Sequence, residues 1–181
     1  RGPLAGPVVA AAVIFPQHAR ETWGIRDSKE LNPQQRAELL PIIQQQALAY
    51  GIGVVEHVEI DRLNILQATF KAMQLAVEQL TQVPEFALVD GNGLPPFSIP
   101  SRAVIKGDSL SLSIAAASIL AKETRDSLML EWHSTYPDYG FDAHKGYATP
   151  QHIEAIRAHG FCPIHRRSFR IKELEHLYDA I

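Results

Sequence analysis

Cysteine is almost absent from this chain, whose 181 residues include only Cys162. A single thiol excludes an intramolecular disulfide and a cysteine-rich zinc site. Long hydrophobic runs are also missing, because the longest, residues 4–15, contains Gly6 and Pro7 and is shorter than the ~20 residues of a membrane helix. We therefore predict a globular protein of a reducing compartment, and we expect it in the cytoplasm.

An excess of positive charge is absent too, since 17 Lys and Arg residues stand against 20 Asp and Glu residues. Two segments are nevertheless basic and contain aromatic residues: His-Lys-Gly-Tyr at 144–147 and His-Arg-Arg-Ser-Phe-Arg at 165–170. Such segments suit a phosphate backbone, and a solvated surface with basic residues near helix ends explains them as well. Lys29, next to Ser28, either binds a phosphate or lies on a loop.

The composition, with 46% hydrophobic and 20% charged residues, is that of an ordinary globular protein. The length predicts a single domain over 1–181. Short apolar segments bounded by Gly, Pro or acidic residues predict strands at 7–15, 50–56, 86–90 and 103–106. Because helical segments alternate with these strands, we predict a mixed α/β fold.

Helices are predicted from capping residues and from the spacing of apolar side chains. Asn32, followed by a proline and by Gln35, has the pattern of a capping box at a helix start. Apolar residues spaced by three or four form one stripe over 60–80 and predict an amphipathic helix that faces a sheet. Further helices are predicted over 111–133, 149–160 and 169–181.

Two acidic residues, Asp90 and Asp108, follow neighbouring predicted strands. Carboxylates at adjacent strand ends can converge on a hard cation such as Mg²⁺, which takes oxygen ligands. Aspartates in turns also form hydrogen bonds with their own backbone in solvent-exposed loops. The local sequence leaves both interpretations open.

The order and spacing of short segments along nearly the whole chain resemble the type 2 ribonucleases H, and bacterial ribonuclease HII in particular. Each segment alone is a weak signal, and the ordered set is highly specific. The matching segments are residues 1–9, 27–29, 64–65, 89–91, 106–108, 116–122, 125–126, 144–147 and 165–166.

The resemblance implies a ribonuclease H-like fold, in which helices flank a mixed five-stranded sheet, with a C-terminal helical segment at 165–181 in the same domain. It implies a four-carboxylate site that binds two divalent ions, Mg²⁺ or Mn²⁺. Such enzymes cut the RNA strand of RNA–DNA hybrids and cut 5′ of single ribonucleotides in duplex DNA. They leave 5′-phosphate and 3′-hydroxyl ends and act in ribonucleotide removal during DNA replication and repair.

The resemblance also implies roles for individual residues. Asp90 matches the third metal-binding carboxylate and Asp108 the fourth. Tyr147 matches a tyrosine that packs against the sugar at the ribonucleotide junction. Arg1 and Gly2 match the end of a Gly-Arg-Gly loop whose backbone contacts the 2′-hydroxyl, the group that distinguishes RNA from DNA.

Further basic residues match motifs that contact the nucleic acid. Lys29 matches a phosphate-contacting lysine. The remaining expected substrate-binding residues are His144, Lys145, His165 and Arg166.

The sequence departs from the family motif Asp-Glu-x-Gly-Arg-Gly, because it starts at the arginine, Arg1. The first two catalytic carboxylates, and the strand that carries them in the middle of the family's sheet, are therefore not in these 181 residues. We expect that the natural protein has them, and that the 181 residues alone cleave poorly or not at all.

Two other functions are compatible with parts of the sequence. A non-catalytic module that binds RNA–DNA hybrids would fit a genuine lack of the Asp-Glu pair. A small-molecule phosphatase is disfavoured by the basic segments and by Tyr147. We expect a monomer that binds RNA–DNA hybrids and ribonucleotide-containing DNA duplexes, and we find no clear sliding-clamp motif before Ile181.

Overall fold

A computed structural model describes residues 1–17, 19 and 23–178, except for the side chain of His176. The residues group into two compact units, which we describe separately. The first unit comprises Arg1–Val8, Val55–Ala68 and the chain from Arg125 onward, and the second comprises Val9–Val54 and Thr69–Thr124. A single domain over the whole chain stays a prediction.

The strands confirm the predicted α/β class and differ from the implied sheet in number. Strand β1 (Val8–Ile14) pairs with β2 (Ala49–Val55), and β3 (Ala87–Asp90) pairs in parallel with β4 (Ser101–Val104). The described residues thus contain two two-stranded sheets, whereas the resemblance implies one sheet of five strands. The strand that carries the family's Asp-Glu pair is not among the 181 residues.

Glycine lets strand β2 lie close to a helix. A Cβ atom at Gly53 would overlap the backbone carbonyl of Ala72, and one at Gly51 would overlap that of Ala76. Ala72 and Ala76 belong to helix α3 (Ile65–Glu78) and are fully buried. The two glycines and two alanines therefore fit strand and helix together at a distance that larger residues would not allow.

Helix α1 (Pro33–Gln46) begins where the capping pattern predicts. Asn32 Oδ1 accepts the backbone N–H of Gln35, and Gln35 Oε1 accepts the backbone N–H of Asn32, both over 2.9 Å. These bonds satisfy two donors that a helix start leaves free. Pro41 lies inside the helix and does not end it.

The prediction of one helix over 60–80 is wrong, because α2 (His57–Leu63) and α3 are separated at Asn64. Asn64 has φ 74°, which no continuous helix allows. Its backbone N–H donates to the carbonyl oxygen of Ile60 in the last turn of α2. Its side-chain oxygen accepts the N–H groups of Leu66 and Gln67 at the start of α3. One residue therefore ends one helix and caps the next.

The later helices are α4 (Leu112–Thr135), α5 (Phe141–His144), α6 (Pro150–His159) and α7 (Glu175–Tyr178). Helices α4 and α6 follow the predictions over 111–133 and 149–160, whereas the short helix α5 is not predicted from the sequence. The helix predicted over 169–181 is, within the described residues, a 3₁₀ turn at Lys172–Leu174 followed by α7. Residues 179–181, at the end of the tail searched for a clamp motif, lie outside the described residues. Among the helices that are described, none combines the length and apolar character needed to cross a membrane.

Each unit has its own apolar core. In the second unit, α1 and the residue before its cap, Leu31, pack on α4; the buried cluster is Leu31, Leu39, Ile43, Ala116, Ile119 and Leu120. In the first unit, the start of the chain packs with the C-terminal segments through Leu4, Ala5, Met129, Tyr139, Phe141, Ile156, Cys162, Ile164 and Leu174. The first core therefore holds the N-terminal residues beside the basic segments that the sequence singled out.

Candidate functional site

The structure brings the two predicted carboxylates to one end of the β3–β4 sheet in the second unit. Asp90 is the last residue of β3, and Asp108 lies in the 3₁₀ turn Gly107–Ser109 that follows β4. The backbone N–H of Gly107 donates to Asp90 Oδ1 over 2.9 Å. Because Gly107 directly precedes Asp108, this bond holds the Asp108 turn at the end of β3.

The two carboxylates differ in exposure and in partners. Asp90 is exposed, whereas Asp108 is 7% exposed. Asp108 Oδ2 accepts a hydrogen bond from Lys29 Nζ over 3.3 Å. A buried carboxylate needs such a cationic partner, since burial without one is costly.

Lys29 itself is largely solvated, with an 80% exposed side chain. The hydrogen bond to Asp108 is the main cause that raises the pKa of Lys29, and the charges of Asp27 and Asp90 add to it. The expected phosphate-contacting lysine is thus an exposed cation that is hydrogen-bonded to Asp108.

The backbone before Asp108 is sterically constrained. Lys106 has φ 55°, a left-handed conformation that side chains other than glycine rarely adopt. A Cβ atom at Gly107 would lie 2.6 Å from Ile114 Cδ1 and 3.4 Å from Asp90 Oδ1. A side chain at position 107 would therefore have to displace the end of the Ile114 side chain beside the bond to Asp90.

The chemistry of the pair suits a hard divalent cation. Both residues offer carboxylate oxygens, which Mg²⁺ and Mn²⁺ prefer over sulfur or imidazole ligands. No group of three or more His, Cys, Asp or Glu side chains in the described part of the chain is arranged to hold a metal. Asp90 and Asp108 thus fit as part of an oxygen ligand set.

In the first unit, the N-terminal segment (residues 1–7) contacts both basic segments, or the residues next to them, at 144–147 and 165–170. Leu4 N–H donates to Gly146 O over 2.8 Å, and Gly6 N–H donates to Ile164 O over 2.9 Å. Ala5 and His165 form an antiparallel bridge. The structure thus brings together the expected substrate-binding residues near positions 1, 145 and 165.

Arg166 is buried and bound to the protein backbone, with 1% of its surface exposed. Its guanidinium donates to the carbonyl oxygens of Arg1, Gly6 and Pro7 over 2.7 to 2.9 Å. Burial lowers the pKa of Arg166 to about 9, still above neutral pH, so the group stays a cation. Arg166 therefore orients the backbone of Arg1.

Three buried histidines pack together behind Tyr147: His152 and His165 share a hydrogen bond, and His144 stacks on His152 with ring centroids 4.4 Å apart. His152 Nδ1 lies 2.9 Å from Tyr147 O, and His152 Nε2 lies 3.0 Å from His165 Nε2. The N–H of Cys162 donates to His165 Nδ1, and the N–H of Gly146 donates to the Nδ1 of the third member, His144.

The partners assign one tautomer to each of these histidines. His165 Nδ1 accepts a backbone proton, so its Nε2 carries hydrogen and donates to His152, which donates from Nδ1 to Tyr147. His144 accepts at Nδ1 and donates from Nε2 to Tyr139 O, 2.7 Å away. All three rings are neutral, and each of their ring nitrogens has a hydrogen-bond partner.

Burial is also the main cause that lowers the pKa of each ring. It lowers the pKa of His152 to about 4 and that of His165 to about 3, and it lowers the pKa of His144. His152 was not among the residues predicted from the sequence. The sequence around His152 indicates only its place in the first turn of α6, three residues after the cap Thr149.

The expected substrate-binding residues of the first unit divide by exposure. Arg1 and Gly2 are exposed, Tyr147 is 44% exposed and Lys145 is half-buried. The buried ones, His144, His165 and Arg166, contact the protein. The exposed group can touch a ligand, and the buried group holds it in place.

Cys162 is an unreactive thiol in the core of the first unit. It is buried, and burial raises the pKa of its thiol to about 11. A thiolate is the reactive form of cysteine. The hydrogen-bonded contact to His165 therefore does not make Cys162 a nucleophile at neutral pH.

Comparison with known proteins gives a consistent result. The family described as "Ribonuclease HII" matches residues 1–172. The chain is 54% identical over 178 residues to ribonuclease HII of Chlorobaculum tepidum, covering 96% of this chain and 87% of that protein.

Solved structures agree. The crystal structure of ribonuclease H2 from Pyrococcus horikoshii OT3 has a TM-score of 0.82 and 26% identity, covering 99% of this chain and 93% of that one. Bst-RNase HIII in complex with Mn²⁺ shares the fold with a TM-score of 0.72 and 20% identity, covering 88% of this chain and 59% of that one. The strands and helices described above are thus a ribonuclease H-like fold. The chain belongs to the ribonuclease HII family and is a ribonuclease, a hydrolase.

Proposed function

We propose that this ribonuclease is an endonuclease that cuts the RNA strand of RNA–DNA hybrids and cuts 5′ of single ribonucleotides in duplex DNA. The observation that carries this proposal is the convergence of Asp90 and Asp108 at the end of the β3–β4 sheet, in a chain of this family. Cleavage would leave 5′-phosphate and 3′-hydroxyl ends and would serve ribonucleotide removal in DNA replication and repair.

Asp90 and Asp108 would hold Mg²⁺ or Mn²⁺, with two ions in the complete site. The donor chemistry of the pair and the Mn²⁺ in the RNase HIII structure support this assignment. When bound there, such ions would supply activation of the attacking water and stabilisation of the leaving 3′ oxygen in an in-line displacement. The Gly107 N–H fixes the orientation of the Asp90 carboxylate by bonding to Oδ1, and Oδ2 takes no part in that bond.

Lys29 would neutralise the acidic pair until the phosphate arrives. Its ammonium group is exposed and reaches the buried Asp108. A lysine head on a flexible stem is a mobile point charge, so it can turn from a carboxylate to a phosphate oxygen. We propose that it contacts the phosphate in the substrate complex.

The first unit would recognise the sugar. The exposed backbone of Arg1 and Gly2 would contact the 2′-hydroxyl, and the exposed ring of Tyr147 would pack against the sugar at the junction. Lys145 would contact phosphate, while His144, His165 and Arg166 would support these residues from the interior. We propose a monomer that acts in the cytoplasm.

The experiment is cleavage of a labelled DNA duplex with one ribonucleotide, in Mg²⁺ or Mn²⁺. It compares the 181-residue chain, a chain extended by an N-terminal Asp-Glu strand, and the extended chain with Asp90→Asn. We expect cutting 5′ of the ribonucleotide by the extended chain only. Binding of the duplex without cleavage by the extended chain would contradict the proposal and favour a hybrid-binding module.

A further inference from the structure

Arg125, in helix α4, connects two segments of the first unit that carry the proposed sugar-binding residues. Its Nε and Nη2 donate to the carbonyl oxygens of Pro7 and Ala5, each over 3.0 Å, and its Nη1 donates to that of Lys145 over 2.9 Å. A guanidinium is a planar fork of donors, so three such bonds fix the two segments in one geometry.

The turn that Arg125 holds has an unusual backbone. Lys145 has φ 51° and Gly146 has φ 82°, two consecutive residues in the left-handed region. A lysine in this region is strained and persists only where its surroundings hold it. The bonds to the Lys145 carbonyl from Arg125 and to the Gly146 carbonyl from Leu4 supply that restraint.

The same guanidinium lies beside the ring that follows the turn. The Arg125 Cζ atom is 5.8 Å from the centroid of the Tyr147 ring, which is the distance of a cation–π contact. The ring keeps 44% of its surface exposed, so the contact leaves room for a ligand. Arg125 therefore acts on Tyr147 through both the turn and the ring.

We propose that Arg125 is a positioning residue that fixes the Tyr147 ring relative to the N-terminal segment and thereby sets the preference for single ribonucleotides over continuous hybrids. This inference rests on the proposed function. A single ribonucleotide offers one 2′-hydroxyl at one junction, so the backbone at Gly2 and the ring must meet it together. A continuous hybrid offers a 2′-hydroxyl in every register and tolerates looser spacing.

The test measures kcat/KM on a single-ribonucleotide duplex and on a continuous RNA–DNA hybrid, using the extended chain. Arg125→Lys keeps the charge and loses the fork. We expect it to lower the ratio of the two rates by about ten- to a hundredfold, the effect of a small misplacement of a binding group. In a Tyr147→Ala background, Arg125→Lys should change the ratio no further, because coupled residues give non-additive effects.

The matched control is Leu174→Ala, which opens the core of the first unit at a residue that is not a hydrogen-bond partner of Arg125. It should lower both rates together, as a loss of folded protein does. If Arg125→Lys fails to fold, Gly146→Ala disturbs the same junction, since its Cβ would lie 2.8 Å from Ala5 O. We expect it to lower the ratio as well.

Three results would overturn the inference. They are an unchanged ratio in Arg125→Lys or in Gly146→Ala, an equal loss of ratio in Leu174→Ala, or effects of Arg125→Lys and Tyr147→Ala that multiply. A parent protein that cuts neither substrate would be a different failure, because it would contradict the proposed function before any variant is compared, and the inference would fall with it.

Discussion

At the scale of single residues, burial separates the side chains that can contact a ligand from those that support them. Asp90 and Asp108 each follow a strand, and the Gly107 N–H bond to Asp90 Oδ1 holds the Asp108 turn at the end of β3. The basic segments at 144–147 and 165–170 look alike in sequence. In the structure Tyr147 is exposed, whereas His165 and Arg166 are 1% exposed and bind the protein itself.

The neutral histidines predict a stability that depends on acid. The pKa of His152 is about 4 and that of His165 about 3 in the folded chain, below the ordinary value near 6.5. Between the folded pKa and 6.5, the unfolded chain binds more protons than the folded chain. The contribution of the histidines to the free energy of unfolding is therefore complete above pH 6.5 and decreases as the pH falls. Each ring contributes a loss of about 1.4 kcal/mol per pH unit in that window.

Urea unfolding of the wild type and of His152→Gln, at pH 7, 6 and 4.5, measures this loss. We expect the wild type to lose about 2 kcal/mol more than the variant between pH 6 and pH 4.5. Parallel losses in the two proteins would show that His152 does not stay neutral in the folded chain. Because the carboxylates are common to both, their titration cancels in the comparison.

At the scale of elements, the local capping signals in the sequence correctly predict where helices begin. The Asn32 box begins α1, and Thr149 with Pro150 begins α6, as predicted. The strand predicted at 103–106 instead covers Ser101–Val104, because Lys106 turns into the left-handed region before Asp108. The apolar stripe over 60–80 hides the break at Asn64, since periodicity reports side chains and not backbone angles.

The Asn64 junction gives a prediction about α2 and α3. Asn64→Ala removes both side-chain caps and keeps a Cβ in a backbone region with φ 74°, so we expect a loss of about 2 kcal/mol in the free energy of unfolding. Asn64→Gly removes the caps without the strain and should lose less. Urea unfolding ranks the variants, and an alanine variant as stable as the glycine variant would contradict the strained junction.

At the scale of the whole molecule, the resemblance to type 2 ribonucleases H predicted the family and the α/β class, because a set of motifs in the same order and spacing is specific to one fold. It did not predict the connecting role of Arg125, which matches only as part of a short segment at 125–126. Its three carbonyl partners are 20 to 120 residues away in sequence, and no local pattern reports such contacts.

The proposed function of the molecule requires that Asp90 and Asp108 hold a divalent metal. Calorimetry tests this binding by titration of Mn²⁺ into the extended chain, its Asp90→Asn and Asp108→Asn variants, and Asp138→Asn, which changes an exposed aspartate of the first unit. We predict that the first two variants bind Mn²⁺ at least about tenfold more weakly, the outer-shell effect being the lower bound, and that Asp138→Asn binds like the parent. Unchanged Mn²⁺ binding in both Asp90→Asn and Asp108→Asn would contradict the claim.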